Sequence, residues 1–465
     1  MFNASVYTAR RDTLKKDVGS GLVLFLGNEE SSINFKANWY HFRQDSSFLY
    51  FFGLSLPGLA AIVDIDHDRT TVFGDELSID DIVWTGPQPT IAELANRSGV
   101  QHTDSLKALV SVLNKALQSG STIHYLPPYR PENSLKLQHW LGFDQEQIQR
   151  GHSVELIKAI VAQRSYKSAL EIEEINKAVD ITADMHLTAM KLVSEGKKEM
   201  EIVGAVQEVA VGAGGQLSYP VILTRNGQIL HNHYHGNTLR SGDMVLVDCG
   251  AEVATGYAGD MTRTFPVDSQ FTERQKTLYE LVVKAHTTAV DTLQPDIPFK
   301  EVHLTACKTL VEGLKEIGLM KGDAQEAVNA GAHTMFFQCG LGHMMGLDVH
   351  DMEDLGEQYV GYTDTMIKSV EFGLKSLRLG KALEPGFVIT VEPGIYIIPE
   401  LIDLWKATNK NAQFINYQAL ESYRDFGGIR VEEDFVITET GAQLLGKPVA
   451  KTAAAVESIR TEATA

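Results

Sequence analysis

The stretch from Val245 to Pro266, VLVDCGAEVATGYAGDMTRTFP, constrains this chain more than any other. Asp248 ends an apolar run that is typical of a strand, and Asp260 follows twelve positions later, after a glycine-rich turn that can bring the chain back. Both carboxylates would then face one point. Buried carboxylates raise each other's pKa and lose hydration, so such a pair usually persists where a cation or a shared proton offsets the cost. The stretch favours a metal site; the alternative is a turn-capping Asp248 and a solvated Asp260.

Length and composition indicate a globular protein of two domains, or three, because 465 residues exceed one ordinary core. A net charge of -19 disfavours nucleic acid and anionic membranes as partners. We find no apolar run long enough for a bilayer crossing or a signal peptide. Three cysteines without close metal-type spacing favour reduced thiols, and hence a soluble cytoplasmic protein: Cys249, Cys307 and Cys339.

Residues 1–165 predict an α/β domain. Short apolar runs between turns predict strands at GLVLFLG, FRQDSSFLYFFGL, AAIVDID, TTVFGD and STIHYL, with a hairpin turn from Asp64 to Arg69. A helix is predicted from Ser105 to Gln118. Helical periodicity takes over near residue 165, where we place the domain boundary, and residues 451–465 are expected to form an exposed tail.

The second domain, residues 166–450, opens with a long predicted helix. Ser168 is its expected N-cap, and the apolar period of the helix continues to about Glu195. Further helices are predicted at Glu199–Ala213, Thr272–Thr292, Phe299–Ile317 and Asp323–Ala330. YPVILTRNG and QILHNHYHGN predict a hairpin around Asn226 and Gly227.

Histidines stand out in two places. The second strand of that predicted hairpin would carry His231, His233 and His235 on one face, as a metal claw or as a polar strip beside a cleft. His343 and His350 lie in the glycine-rich segment GLGHMMGLDVHD, where histidines are more often functional than on an apolar helix face.

Acidic residues follow two further apolar strands. Glu392 ends the strand in EPGFVITVEPGIY. In GGIRVEEDFVITETG, period-two alternation places Arg430, Glu432 and Asp434 on one face and Glu433 on the other. That strand is either a solvated edge or the wall of a site. The pattern leaves open whether Glu432 or Glu433 would be the residue that binds a metal.

Two aspartates, a loop histidine and two glutamates form a donor set that is rich in oxygen with one imidazole. Such a set suits Mn, Co or Zn, and bridging carboxylates favour two ions about 3.5–4 Å apart. A pair of ions can hold a bridging water and polarise a carbonyl, which is the chemistry of amide hydrolysis. A ligating carboxylate can accept the proton of that water, and a histidine can stabilise the tetrahedral intermediate.

The segments LVDCG, GYAGDMTRTFP, GLGHMMGLDVHD, TVEPGIY and GIRVEEDFVITETG, in this order, resemble the pita-bread metallopeptidases, especially aminopeptidase P and prolidase. HFRQDSSFLYFFGL resembles the N-terminal domain of aminopeptidase P. The resemblance implies an α/β N-terminal domain followed by an α+β pita-bread catalytic domain. It places the ligands of two divalent ions, most often Mn, on Asp248, Asp260, His343, Glu392 and Glu432.

The resemblance also implies roles and an activity. Glu392 would accept a proton from the attacking water, and His231 and His350 would contact substrate, with Arg430 nearby. We expect an exopeptidase that releases the N-terminal residue from Xaa-Pro peptides through a water that bridges the metals. The alternative is prolidase, which takes only dipeptides. Trp84, in IVWTG, resembles a tryptophan that closes a neighbouring subunit's site, so a homodimer or homotetramer is expected.

Two departures from the family pattern bear on these expectations. The aspartates are separated by one residue more than usual, and the segment from Gly356 to Leu383 is longer than in compact members, which can restrict peptide length. The metal-free creatinase activity and non-catalytic binding modules of this fold are disfavoured because all five ligand positions hold competent residues.

Overall fold

The structure, a computed structural model, describes residues 2–464. Its contacts divide the chain into two units. The first holds the residues up to Arg164 and Glu353–Tyr359, and the second holds Ser165–Met352 and the residues from Val360 onward. The division between Arg164 and Ser165 lies beside the boundary that the change in periodicity predicts.

The first unit is a mixed sheet with helices. Its strands β1 to β5 are Leu22–Leu26, Ala60–Asp64, Arg69–Phe73, His102–Asp104 and Ile123–His124. They lie in the order β4-β3-β2-β1-β5, with β1–β5 and β3–β4 parallel and the other pairs antiparallel. The helices α1 to α8 are Ala4–Val18, Ser46–Phe52, Ile79–Thr85, Ile91–Arg97, Leu106–Ser119, Pro131–Leu141, Gln145–Arg150 and Val154–Arg164.

One predicted strand is wrong. The apolar run in FRQDSSFLYFFGL forms helix α2, whose seven residues are all buried. Asp45 caps the helix by accepting a hydrogen bond from the Phe48 N–H at 2.8 Å, and Gly53 ends it in the left-handed conformation. Short apolar runs without alternation do not distinguish a buried strand from a buried helix, so the caps decide.

Between residues 165 and 464, nine helices and ten strands follow. The helices α9 to α17 are Ala169–Leu192, Glu199–Gly212, Glu273–Asp291, Phe299–Glu316, Ala324–Asn329, Glu357–Gly361, Pro399–Ala407, Tyr417–Leu420 and Ala453–Thr464. Short 3-10 helices lie at Ala332–Met335, Glu353–Leu355, Leu374–Ser376 and Glu421–Tyr423. The strands β6 to β15 are Gln216–Leu217, Ile222–Thr224, Met244–Asp248, Ala251–Glu252, Thr262–Pro266, Val388–Val391, Gly394–Tyr396, Gly428–Arg430, Glu433–Thr438 and Gly441–Leu444.

These strands form small antiparallel sheets. Their orders are β10-β8-β7, β11-β14-β15, β12-β13 and β6-β9. Two single bridges connect these sheets to other segments. Thr262 on β10 bridges to Glu432, which lies between β13 and β14, and Ile389 on β11 bridges to Met344 in the loop that carries His343. Helix α9 packs against α10 and α17, and α11 packs against α12. This is the α+β architecture that the sequence resemblance implies.

The tail is not exposed as expected. Helix α17 buries Val456 and Arg460 completely. The Arg460 guanidinium donates hydrogen bonds to the backbone carbonyls of Pro266, Val267 and Met190. An arginine can be buried in this way because several carbonyls accept from its five N–H groups. The last helix is therefore an integral part of the second unit.

The start of α9 agrees with the predicted N-cap at Ser168, although the cap works through Glu171. A Glu171 carboxylate oxygen accepts from the Ser168 N–H at 2.9 Å and from its hydroxyl at 2.7 Å. The other oxygen accepts from the Tyr257 hydroxyl at 2.9 Å. Glu171 is 3 % exposed, so this carboxylate joins the helix start to the loop before β10.

Replacement of Glu171 by alanine should destabilise the protein by about 2 kcal/mol, since it leaves the buried Tyr257 hydroxyl without an acceptor and removes the cap at the start of α9. Ser168→Ala, which keeps the acceptor and removes one hydroxyl, should cost about 0.5 kcal/mol. Chemical denaturation of both variants measures the difference. Equal losses in the two variants would show that the Tyr257 bond contributes nothing.

Candidate active site

The pairing of β8 with β10 brings the two aspartates together. The strands are antiparallel with Thr262 opposite Asp248, so the connecting turn returns Asp260 to the same end. The Tyr219 hydroxyl lies 2.6 Å from Asp248 Oδ1 and 2.5 Å from Asp260 Oδ1. One hydroxyl proton serves only one of these oxygens at a time. Arg430 forms an ion pair with Asp248 only, so the two adjacent carboxylates are not both neutralised, which favours a cation between them.

His343 turns one ring nitrogen toward carboxylates. Its Nδ1 donates to the Met344 carbonyl at 3.0 Å, which leaves Nε2 as the nitrogen that faces the acids and that could bind a metal. Nε2 lies 3.4 Å from Asp260 Oδ2 and 3.8 Å from Glu392 Oε1. The Thr390 N–H donates to the His343 carbonyl at 3.0 Å, and the His343 N–H donates to the Thr390 hydroxyl at 3.2 Å; these two bonds fix the loop beside β11.

The two glutamates reach the same place from two strands. Glu392 directly follows β11, and its N–H donates to the Leu341 carbonyl at 2.7 Å. Glu432 lies between β13 and β14, bridges to Thr262, and accepts a hydrogen bond from the Thr262 hydroxyl at 2.6 Å. One ligand atom from each of Asp260, His343 and Glu432 lies within 4.8 Å of the others.

Glu433 points the other way. Its carboxylate bonds to Arg263 at 2.6 Å and to Lys451 at 2.6 Å. The pattern of the sequence left open which of the two glutamates serves the site. In the structure Glu432 lines the cavity, and Glu433 belongs to a buried ion pair on the opposite face.

Burial dominates the protonation of these acids. It raises the pKa of Glu392 to about 7, with the charges of Asp260 and Asp248 adding to the shift. Burial and the neighbouring acids also raise the pKa of Glu432 and Asp248. Burial acts on Asp260 in the same direction, but the bond and charge of His343 outweigh it, and the pKa of Asp260 is lowered. The cluster holds more acid than its surroundings neutralise.

Arg430 supports the cluster rather than standing free. It is 4 % exposed, and its guanidinium donates to Asp248 through a short ion pair, to Thr262 Oγ1 at 3.0 Å and to the Tyr396 hydroxyl at 2.9 Å. Each nitrogen of the guanidinium is therefore engaged within the protein. Its position fixes Asp248.

All eight residues that the sequence singled out line one cavity of about 250 Å³. His350 lies on the cavity wall, with its ring centroid 4.3 Å from that of His343. His231 is neutral near pH 7, because burial lowers its pKa. The set is Asp248, Asp260, His343, Glu392, Glu432, His231, His350 and Arg430.

The strand predicted for QILHNHYHGN is wrong, and so is the metal claw. The segment after β7 is a loop, and its Asn232 Nδ2 donates to Thr224 Oγ1 on β7 at 3.0 Å. His235 Nε2 bonds to the Val221 carbonyl at 3.0 Å, whereas His231 and His233 line the cavity.

Several lining residues were not predicted from the sequence as site residues, and Tyr219, Cys339 and Arg378 are among them. Tyr219 precedes β7, Cys339 precedes the His343 loop, and Arg378 lies in the long segment before β11. The pKa of the Cys339 thiol is raised by burial to about 12, so it is not a thiolate. The sequence did offer one signal for Arg378: it is a cation within the segment from Gly356 to Leu383, which is longer than in the compact members of the family.

The residues fit a divalent metal centre. Four carboxylates and one imidazole converge, and oxygen-rich sets with one nitrogen suit Mn, Co and Zn. The Tyr219 hydroxyl is shared by two carboxylates, and burial with the neighbouring acids raises the pKa of Glu432, so the cluster is one that a bound cation would stabilise. His343 already has the second bond to a carbonyl that metal-binding histidines make.

Comparison with known proteins agrees with this geometry. Residues 173–439 match the model of metallopeptidase family M24, and residues 7–124 match that of the aminopeptidase P N-terminal domain. Human Xaa-Pro dipeptidase is 31 % identical over 432 residues, covering 91 % of this chain and 85 % of that protein. A probable Xaa-Pro aminopeptidase of Podospora anserina is 30 % identical, covering 92 % of this chain and 90 % of that protein.

Solved structures resemble the whole chain. Aminopeptidase P from E. coli, in its low-pH form, superposes with a TM-score of 0.82 at 28 % identity, covering 100 % of this chain and 99 % of that one. Aminopeptidase PepP of Pseudomonas aeruginosa superposes at 0.81 with 25 % identity and the same coverage. The match to the M24 model covers more than half of this chain. The chain therefore belongs to metallopeptidase family M24 and carries the N-terminal domain of aminopeptidase P.

Proposed function

We propose that the protein is a metal-dependent exopeptidase that releases the N-terminal residue from Xaa-Pro peptides. The observation that carries the proposal is the convergence of five potential ligands and two histidines on one cavity. The relatives support the same proposal, since they are named as an Xaa-Pro dipeptidase and a probable Xaa-Pro aminopeptidase. The bond before proline is a tertiary amide with restricted φ, so it needs a dedicated site.

The ligands of two divalent ions would be Asp248, Asp260, His343, Glu392 and Glu432, with Mn as the preferred metal and Co or Zn as alternatives. When bound, such ions supply Lewis-acid polarisation of a carbonyl and a nucleophilic water at neutral pH. An E. coli aminopeptidase P structure is described as Zn-substituted. The dinuclear assignment rests on the count of carboxylates.

The protein side chains have separate tasks in this proposal. Glu392 would accept a proton from the attacking water, as a carboxylate positioned beside it can. Neutral His231, together with His350, faces the substrate from the cavity wall and can donate to an oxygen that gains charge. Arg430 holds Asp248 in place through its ion pair.

The dipeptidase alternative is favoured by Arg378. This cation lines the cavity. Burial raises the pKa of Glu392 and lowers that of His231, and the charge of Arg378 acts to lower both, which places Arg378 near the reacting groups. An arginine in that position can bind the free carboxylate of a dipeptide, as arginines commonly bind carboxylates in a bidentate manner. In a longer peptide the C-terminal carboxylate lies farther from the bond that is cleaved, so Arg378 could not bind it in the same way.

An Xaa-Pro dipeptide and an Xaa-Pro-Yaa tripeptide, assayed side by side with added Mn, decide between the two. We expect cleavage of both. Arg378→Met should raise KM for the dipeptide about tenfold or more, the value of one charged hydrogen bond, with little change for the tripeptide. Lys375→Met, on the same segment but exposed, is the matched control. Absence of tripeptide cleavage would make the protein a dipeptidase.

We further propose a cytoplasmic homo-oligomer. The three cysteines are free thiols, which fits a reducing compartment. Trp84 is 87 % exposed on α3, a helix without a buried residue, and Ile79 and Val83 beside it are each 72 % exposed. Such a patch is typical of an interface. None of the helices among residues 2–464 combines the length and apolar character that a bilayer crossing requires.

A further inference from the structure

A second cluster of metal-binding side chains lies within the catalytic unit, on other residues than those of the cavity. His303 and Cys307 are one turn apart on α12, and His333 lies on the 3-10 helix Ala332–Met335. One ligand atom of each residue lies within 4.8 Å of the others. All three are buried, at 1 %, 0 % and 3 % exposure.

Two ring nitrogens of this cluster have no partner. Within the described residues, Nδ1 of His303 and Nδ1 of His333 are buried without a hydrogen bond. A buried polar atom left unpaired is costly. An ion held by Nε2 of His303, the nitrogen that faces Cys307, would leave Nδ1 of that ring unpaired, so only Nδ1 of His333 can gain a partner from it. Neither ring is a charged group that repels a cation, because burial lowers the pKa of His303 to about 3 and of His333 to about 4.

The spacing also fits coordination. Cys307 Sγ and His303 Nε2 are 3.5 Å apart. Two such atoms bound to one ion at ordinary metal–sulfur and metal–nitrogen lengths lie about 3.6 Å apart. The ligand atom of His333 lies within 4.8 Å of those of His303 and Cys307. Side-chain shifts of less than about 1 Å each would reduce these separations to about 3.6 Å.

The pair His186 and Cys249 shows what a non-binding arrangement looks like. Their Nε2 and Sγ atoms are 3.6 Å apart, much as in the other pair. His186 Nε2, however, also bonds to the Met261 carbonyl at 2.9 Å, so it carries the proton and has no lone pair to offer. Nε2 of His303 bonds only to the thiol among the described contacts.

Charge selects the kind of metal. Burial raises the pKa of the Cys307 thiol, so the empty site holds a thiol that would release its proton when a metal ion binds. The resulting thiolate and two neutral imidazoles carry a single negative charge, so a monovalent ion gives a neutral complex. A divalent ion would leave a positive charge buried, beside a cationic Lys300 whose field already reaches His303. Thiolate and imidazole donors also suit soft ions. We propose that His303, Cys307 and His333 form a site for a soft monovalent cation, Cu(I).

The test is a competition titration of the metal-stripped, reduced, full-length protein with Cu(I) against a coloured Cu(I) chelator under anaerobic conditions. We expect one tightly held Cu(I) per chain, at least a hundredfold weaker binding in Cys307→Ala and in His303→Leu, and unchanged binding in Cys249→Ala and Cys339→Ala. Copper X-ray absorption should show one sulfur and two nitrogen neighbours. The catalytic oxygens are poor ligands for Cu(I) and should not contribute.

Activity plays no part in this readout, so the metal site stands or falls separately from the proposed peptidase function. Wild-type protein that loses all Cu(I) to the chelator would overturn the proposal. Undiminished binding in Cys307→Ala would do the same, and a loss in Cys339→Ala would contradict the three-residue set. Tight Zn²⁺ binding through Cys307 without Cu(I) binding would refute the monovalent assignment. Circular dichroism of each variant checks that it is folded.

Discussion

The Asp260→Ala variant should lose at least about 10³-fold in kcat/KM toward Xaa-Pro substrates, since metal-borne charge stabilisation is worth several kcal/mol. Asp260 is central because its oxygens lie 2.5 Å from the Tyr219 hydroxyl and 3.4 Å from His343 Nε2. The loss should appear in kcat and should be accompanied by less Mn per chain. Steady-state kinetics with elemental analysis of the dialysed protein measures both.

Asp434→Asn is the matched control for that variant. Asp434 is fully buried on β14, and its Oδ2 accepts a hydrogen bond from the Asp260 N–H at 3.1 Å, but it does not line the cavity. An asparagine oxygen keeps this bond. We expect less than about tenfold loss of activity, because one neutral hydrogen bond is worth about 1 kcal/mol. A loss as large as that of Asp260→Ala would mean that buried charge, and not ligation, explains the effect.

The Glu392→Gln variant should lose about 10²–10⁴-fold in kcat, the usual contribution of a positioned proton acceptor. Glutamine keeps the size of the side chain and removes both its basicity and its charge. Mn content should fall by no more than one ion per chain, because four other ligand candidates remain. A variant that keeps its kcat would remove Glu392 from the role of proton acceptor.

The same substitution should stabilise the metal-free protein at pH 8. The pKa of Glu392 is raised from 4.5 to about 7 in the fold, so the folded state binds more protons than the unfolded state between these values. Stability from this group is therefore complete below pH 4.5 and is lost as the pH rises through 7. The side chain is 18 % exposed, and solvent reduces the loss to about 2 kcal/mol.

Denaturation of metal-free wild type and Glu392→Gln at pH 5 and pH 8 checks this sign. We expect the two proteins to be similar at pH 5 and the variant to be the more stable at pH 8. Added Mn should stabilise the wild type more than the variant at pH 8, since ligands that bind only the folded state raise its stability. Greater stability of metal-free wild type at pH 8 would contradict the raised pKa.

The regular elements with strong local signals were predictable from the sequence. Helices α9, α11 and α12 match the predicted spans within a few residues, because caps and a 3.6-residue period are properties of consecutive residues. The hairpin turn between β2 and β3 is confirmed for the same reason, with Asp64 opposite Arg69. The strand assigned to FRQDSSFLYFFGL failed because a fully buried run has no alternation to identify it.

The choice between neighbouring side chains needed more than the local pattern. Alternation put Glu432 and Glu433 on opposite faces but did not show which face was the cavity. Thr262 on β10 forms a β-bridge with Glu432, whereas the next residue, Arg263, forms an ion pair with Glu433. Strand pairing between residues about 170 positions apart therefore decides the question.

From the sequence alone followed the two-domain division, the family resemblance and the eight residues that meet at one cavity, because short motifs with fixed local geometry carry them. Only the tertiary structure decided that Arg378 and Tyr219 line that cavity and that the last helix is buried. It alone joined His303 and Cys307 to His333, which is distant in the chain and carries no motif. Contacts between distant segments depend on how helices and sheets pack, and no pattern of consecutive residues records that packing.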